Sequence, residues 1–276
     1  MNVEEYFNLI DIKKLKKSIA SFNKLDLKSM SDKDIEKAFI KIIAVNNKII
    51  SPTYFLTIPE DELFCRVRNN YDYVDDYIMT KKFNITNLLN NPNPKIGRLN
   101  KDMERGLYLS NNLNTAIKEC NINDGDVFTV AVFKPKNKLS IISTYISNKY
   151  GDISEANKEK AHLLNKFIKD LLIETENNNS DIYRITNIIA KVLYKQFVAD
   201  GLLFFSSKND KDFNLFIYNE SINNLEIKYI FNCKKDNKII FGQFVEVNNN
   251  KIVPSEISDN IKNEILHKIG CEIVKK

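Results

Sequence analysis

Apolar positions in residues 1–50 recur at helical spacing. Ile12, Leu15, Ile19 and Phe22 fall on one helical face. Ser31, with Asp34 three residues on, has the spacing of a capping box, and Ile35, Phe39, Ile42 and Ile43 continue an apolar stripe behind it. Ser51-Pro52 then ends the helical region, because proline lacks an amide donor and biases its predecessor to extended geometry. The pattern predicts an N-terminal helical segment over residues 1–52.

From residue 53 the period changes. TYFLTIP and LFCRVR read as extended, LLNNPNPKIG as loop, GLYLS as a short strand and NLNTAIKEC as a helix with polar residues at its start. DVFTVAVFKP and LSIISTYI have the β-branched and aromatic content of sheet strands. A long amphipathic helix is predicted over 153–175, with Leu163, Leu164, Phe167, Ile168, Leu171 and Leu172 on its buried face, and another over 181–197. LLFFSS, FNLFIY, LEIKYIF and KIIFGQFVEV follow as strands, and a last helix covers 257–269. Strands and helices mix without regular βαβ alternation, so residues 53–276 are expected to form one α+β domain.

Composition narrows the classes. The chain has 276 residues, 43% hydrophobic and 28% charged, as in ordinary globular proteins. Its net charge of +5 is 41 cations against 36 anions, interspersed along the chain. That distribution argues against a nucleic-acid partner. The cysteines at 65, 120, 233 and 271 include no CxxC pair, and the histidines, His162 and His267, are far apart, so no metal is expected. No run approaches ~18 apolar residues and the start has no secretory pattern, so a cytoplasmic protein with reduced thiols and no membrane span is expected. GxGxxG and GxxxxGKS are both absent from the sequence, so neither usual nucleotide fingerprint applies.

Several polar residues stand in apolar or small-residue surroundings. Arg66 and Arg68 share one face of a strand-like run, and a guanidinium fork suits a phosphate, although an edge-strand arginine with a solvated head has the same pattern. Gly97-Arg98 allows a tight turn or a close backbone approach. Tyr108 and Ser110 lie on one side of GLYLS, where a tyrosine can stack on a planar ring or simply fill the core. Glu119 follows Thr115 and Ala116 on one approximate helical face, which is either a placed carboxylate or an exposed one. Ser206 ends an apolar strand. With Ser207, Lys208 and Asn209 behind it, a turn explains the hydroxyls as well as a pocket mouth does.

Taken in order, these segments resemble the RES domain, a family named for its Arg, Glu and Ser, over about residues 53–220. Phe64-Cys65-Arg66-Val67 matches the opening strand. Gly97, Arg98, Leu99 and Asn100 match the glycine–arginine element, with Ile96 where the family commonly has a further glycine. Tyr108, Ser110, Thr115, Ala116 and Glu119 match a Tyr-x-Ser strand and the helix ending in Glu. Tyr183 to Thr186 match a later helix. Asp200, Gly201, Phe204 and Ser206 match the last motif, with Phe205 where proline is usual.

The resemblance implies an α+β fold like that of the ADP-ribosyltransferases, a mixed sheet core with flanking helices. It implies NAD as substrate and cleavage of the nicotinamide–ribose bond, with phosphate as acceptor or with transfer of ADP-ribose to a protein or nucleic acid. It also implies a catalytic set of Glu119, Arg66 and Ser206. Arg98, Tyr108, Gly97, Arg68 and Ser207 are then the NAD-binding candidates, with Arg68 and Ser207 as alternatives to Arg66 and Ser206. Short members of the family are toxins paired with an antitoxin, so a cognate antitoxin or regulatory partner is expected. A degenerate fold that binds a nucleotide or partner without turnover stands as the non-enzymatic alternative.

Overall fold

The computed structural model describes residues 3–46, 48–49, 54–70, 85, 88, 97, 99–100, 104–143, 153–173, 180–194, 198–206, 212–253 and 257–271. It is a mixed α+β structure. In chain order the elements are α1 (Val3–Asn8), α2 (Ile12–Phe22), α3 (Asp32–Ile43), β1 (Ala44–Val45), β2 (Lys48–Ile49), β3 (Tyr54–Ile58), β4 (Phe64–Asn70) and β5 (Gly106–Ser110). Next come α4 (Leu113–Glu119), β6 (Val127–Pro135), β7 (Leu139–Ser143), α5 (Glu155–Ile173), α6 (Ser180–Tyr194), β8 (Gly201–Phe205) and β9 (Phe213–Tyr218). A 3₁₀ turn at Asn219–Asn224 leads into β10 (Leu225–Asp236), β11 (Lys238–Asn248), β12 (Lys251–Val253) and α7 (Asp259–Lys268).

The chain divides into two compact units, each assembled from separated segments. The first comprises Met1–Leu56, Pro94–Glu104 and Ile141–Phe204, and the second Thr57–Asn93, Arg105–Ser140 and Phe205–Lys276. The helices expected over 1–52 therefore fold together with later parts of the chain, and the break near residue 52 falls inside the first unit.

In the first unit, Asp11 caps α2 by accepting from the amides of Lys13 and Lys14, and Ser31 caps α3. The Ser31 hydroxyl accepts from Asp34 N at 3.3 Å, the cap that the spacing predicted, and itself donates to the Asp34 carboxylate at 2.6 Å, where a capping box has the Ser31 amide donate. The apolar stripes of α2 and α3 meet α5 through Phe22, Phe39 and Phe167, whose rings lie 5.4–6.5 Å apart. Burying a side chain of this size stabilises by about 1.5–3 kcal/mol. Arg184 on α6 donates to Asp32 at the start of α3 at 2.7 Å, tying the N-terminal helices to α6. Strands β7 and β8 run parallel, with Ile141 opposite Gly201 and Ser143 opposite Leu203. The chain between them contains α5 and α6, since parallel neighbours need a long crossover.

The second unit holds an antiparallel sheet in the order β12-β11-β10-β6-β4-β5-β9. Strand β6 lies between β10 and β4, and Phe128 to Phe133 are all buried, because both of its faces are covered. Cys65 and Val67 of β4 pack with Leu113, Ala116 and Ile117 of α4 and with Ile265 and Leu266 of α7. Phe64, Arg66 and Arg68 alternate with Cys65 and Val67 and stand on the opposite face of β4. At β5 the chain needs glycine: a Cβ on Gly106 would stand 2.1 Å from Cζ of Phe216.

Candidate active site

The site begins with a short helix. Asn112 caps α4, its side-chain oxygen accepting from Thr115 N at 3.1 Å. The Leu113 amide donates to the Ile269 carbonyl at 2.8 Å, so the turn after α7 satisfies one of the orphan donors at the start of α4. Gly270 in that turn has a φ of +66°, and a Cβ there would come within 2.6 Å of the Asn112 amide nitrogen. Leu113, Ala116 and Ile117 bury one face of α4, and Glu119 occupies its last position.

Two donors converge on Glu119. The Ser206 hydroxyl donates to Glu119 Oε1 at 2.6 Å, and the Asn214 amide donates to the same oxygen at 3.2 Å. Ser206 and Asn214 are both buried. Asn214 is placed by register: it pairs with Ser110, as Phe216 pairs with Tyr108, across the β5–β9 ladder. The ladder continues past Ser110, where Asn111 N donates to the Phe213 carbonyl at 3.3 Å and Phe213 N donates to Asn111 Oδ1 at 3.0 Å. Ser206 is placed by its own amide, which donates to the Asp212 carbonyl at 3.1 Å.

Tyr108 is half-buried beside this cluster, its ring 4.8 Å from that of Phe216 at an interplanar angle of 58°. Arg66 and Arg68 stand on the face of β4 opposite α4, and the Arg66 guanidinium donates to the Leu88 carbonyl at 2.7 Å. Burial, with the charge of Arg68 adding to it, pushes Arg66 down to about 9. Burial pulls Arg68 down as well. Cys120 directly follows Glu119. As a residue it is exposed, but its thiol turns inward to the Val67 carbonyl at 3.4 Å, and that burial raises its pKa against the opposing pull of Arg68 and Arg66.

Of the residues singled out in the sequence, the structure brings Glu119 and Ser206 into direct contact and sets Tyr108 two positions before Ser110, the register partner of Asn214. It gives Arg66 a backbone carbonyl as partner, on the other face of β4. Gly97 belongs to the first unit, where its carbonyl and that of Asn100 both accept from the Asn187 side-chain amide of α6, at 2.6 and 3.0 Å. Arg98 and Ser207 lie outside the described residues.

Sequence reading missed Asn214, Asp212 and Asn187. For Asn214 a signal was present: an amide at an inward position of FNLFIY is a polar residue in an otherwise apolar strand. Among the described residues, no group of three or more His, Cys, Asp and Glu is arranged to hold a metal ion, and no helix is long and apolar enough to cross a membrane. Chemically, the cluster offers a fixed carboxylate with two neutral donors on one oxygen, next to an aromatic pair. Compared with known protein families, with curated proteins and with solved structures, the chain finds no match.

Proposed function

We propose that this chain consumes NAD, breaking the bond between nicotinamide and its ribose and passing the ADP-ribosyl group to inorganic phosphate. The observation that carries this reading is the 2.6 Å hydrogen bond between Ser206 and Glu119, which stand 87 positions apart in sequence. These are the serine and glutamate that the resemblance to the RES domain singles out. Nothing in local helix or strand preference requires them to meet. An ADP-ribosyltransferase-like arrangement of the fold belongs to the same proposal.

In this reaction a phosphate oxygen attacks C1 of the nicotinamide ribose. The C–N bond breaks, its electron pair neutralises the pyridinium nitrogen, and nicotinamide leaves. The products are nicotinamide and ADP-ribose 1″-phosphate. Positive charge builds on the ribose in the transition state, as in other glycosidic cleavages. Glu119 takes a ribose hydroxyl and stabilises that charge. Ser206 orients the nicotinamide or its ribose, and Tyr108 offers a ring to stack on. Arg66, on the other face of β4 with the Leu88 carbonyl as its partner, is given no part at Glu119 in this reading. Positioning and charge stabilisation supply the rate.

Purified protein incubated with NAD and phosphate tests the reading. The expected result is nicotinamide and ADP-ribose 1″-phosphate in equal amounts. Label from NAD appearing on a protein or nucleic acid assigns the chain to ADP-ribosyl transfer instead. NAD left intact both with phosphate and with cell lysate removes both enzymatic readings and leaves a nucleotide- or partner-binding module.

A further inference from the structure

A second polar tie joins the elements that carry Glu119 and Ser206. Thr115 lies one helical turn before Glu119 on α4, and its hydroxyl donates to Oδ2 of Asp212. Both residues are buried, at 2% and 8% exposure, too little for water to replace the bond freely. The backbone of Asp212 holds the other side of the site, since its carbonyl accepts the Ser206 amide at 3.1 Å. Asp212 thus grips α4 with its side chain and Ser206 with its main chain. The next residue, Phe213, is fixed in turn by the exchange of hydrogen bonds with Asn111.

We infer that Thr115 and Asp212 are positioning residues that keep Ser206 aligned with Glu119 when substrate engages the carboxylate. The inference rests on the NAD chemistry proposed above. The Ser206 hydroxyl donates to Glu119 Oε1. A ribose hydroxyl arriving at Glu119 has to share or displace that bond. If it were the sole tie, the strand end bearing Ser206 would loosen at the moment its position matters. The Thr115–Asp212 bond is a turn away from the carboxylate and involves neither of its oxygens, so it persists through the exchange. Alignment of this kind is worth much in rate: a displacement of about 1 Å in a reacting geometry costs on the order of a hundredfold.

A buried threonine and aspartate that merely satisfy each other would affect stability and nothing else. Thr115→Val keeps the shape and removes the donor, whereas Thr115→Ser keeps the donor. Two readouts are compared with wild type: kcat and KM for NAD at saturating phosphate, and amide hydrogen exchange of the peptide containing Ser206. The expected result for Thr115→Val is a kcat lower by about tenfold or more, KM within about twofold, and faster exchange at Ser206, with Thr115→Ser restoring all three. Wild-type exchange and wild-type kcat per folded molecule in Thr115→Val overturn the inference, and so does a Thr115→Ser protein that behaves like the valine variant. If Thr115→Val does not fold, Asp212→Asn, which keeps the shape and weakens the charge-assisted bond, takes its place with the same expectations in smaller measure. Should the wild-type protein turn over no NAD, the function proposed above fails, and the exchange measurement alone decides whether this tie holds Ser206.

Discussion

Ser206 Oγ lies 2.6 Å from Glu119 Oε1, and Asn214 Nδ2 lies 3.2 Å from the same oxygen. A carboxylate oxygen that accepts from two neutral side-chain donors, both buried, is held in one position. The proposed chemistry needs a carboxylate held in this way.

Glu119→Gln is expected to lower NAD turnover by about a hundredfold or more, because an amide cannot stabilise a developing cation. Ser206→Ala is expected to lower it by about tenfold to a hundredfold, and to cost about 1 kcal/mol in folding stability for the lost hydrogen bond. Turnover and urea denaturation, measured on the same preparations, separate the two effects. A turnover loss in Glu119→Gln explained wholly by unfolding would remove the catalytic assignment.

Asn214→Asp places a second carboxylate about 3.2 Å from Glu119. Like charges so close cannot both ionise at little cost, so the pair is expected to hold one proton at neutral pH. Turnover of this variant should be low at neutral pH and recover as the pH rises, giving an alkaline shift in the rate profile. A profile superimposable on wild type would mean that Asn214 does not sense the reacting carboxylate.

Gly106→Ala forces a methyl group to within 2.1 Å of the Phe216 ring. The ring has to swing, and it carries the packing of Tyr108 with it. Overpacking of this kind costs about 1–3 kcal/mol. Thermal unfolding should show the loss, and NAD affinity should fall beyond what the unfolded fraction explains if Tyr108 stacks on the ligand.

Asn187→Ala leaves the Gly97 and Asn100 carbonyls without the amide that now donates to both. Asn187 and Asn100 are buried, so water does not simply take its place. The expected cost is about 1–3 kcal/mol in stability. Urea denaturation of wild type and variant measures the loss.

Cys65 is buried, and burial raises its pKa far above the ordinary value of about 9. The unfolded chain therefore releases this proton first. The stability it contributes is complete below about pH 9 and is lost as the pH rises toward the folded value, with a slope of about 1.4 kcal/mol per pH unit. Cys233, raised for the same reason, adds a slope of the same sign. Arg66, pushed down to about 9, has the opposite sign, because the unfolded state holds its proton longer. Cys65→Ala should flatten the alkaline fall in unfolding free energy by about one thiol's slope. An unchanged slope in urea titrations from about pH 8 to about pH 11 would contradict the burial of that thiol.

Much of the fold is legible in local pattern. The Ser31–Asp34 spacing marks a real cap, the stripe from Ile35 to Ile43 is a buried helix face, and each run read as extended, from TYFLTIP to KIIFGQFVEV, contains a strand among its described residues. These features follow from the periods of helix and strand, which act over a few residues and so leave their mark in order along the chain. Some local detail escaped: Ala44–Val45 and Lys48–Ile49 form a small two-stranded ladder where helix was expected, and Lys251–Val253 adds a short edge strand. Strands of two or three residues carry too few positions for a period to show.

Which residues share a site was decided by long-range pairing. Glu119 could be read as a placed or an exposed carboxylate until α4 settled on β4 and the β5–β9 register set Asn214 opposite Ser110. Strand alternation, harmless in a sequence alignment of motifs, put Arg66 on the face of β4 away from α4 and gave it the Leu88 carbonyl. The same holds for the separation of the chain into two interleaved units, which no composition shift along the sequence announces. Residue types and their spacing encode what each segment becomes, because those forces are local. The meeting of Ser206 with Glu119, and the second hold of Asp212 on Thr115, depend on sheet order and register, which exist only once the whole chain has folded.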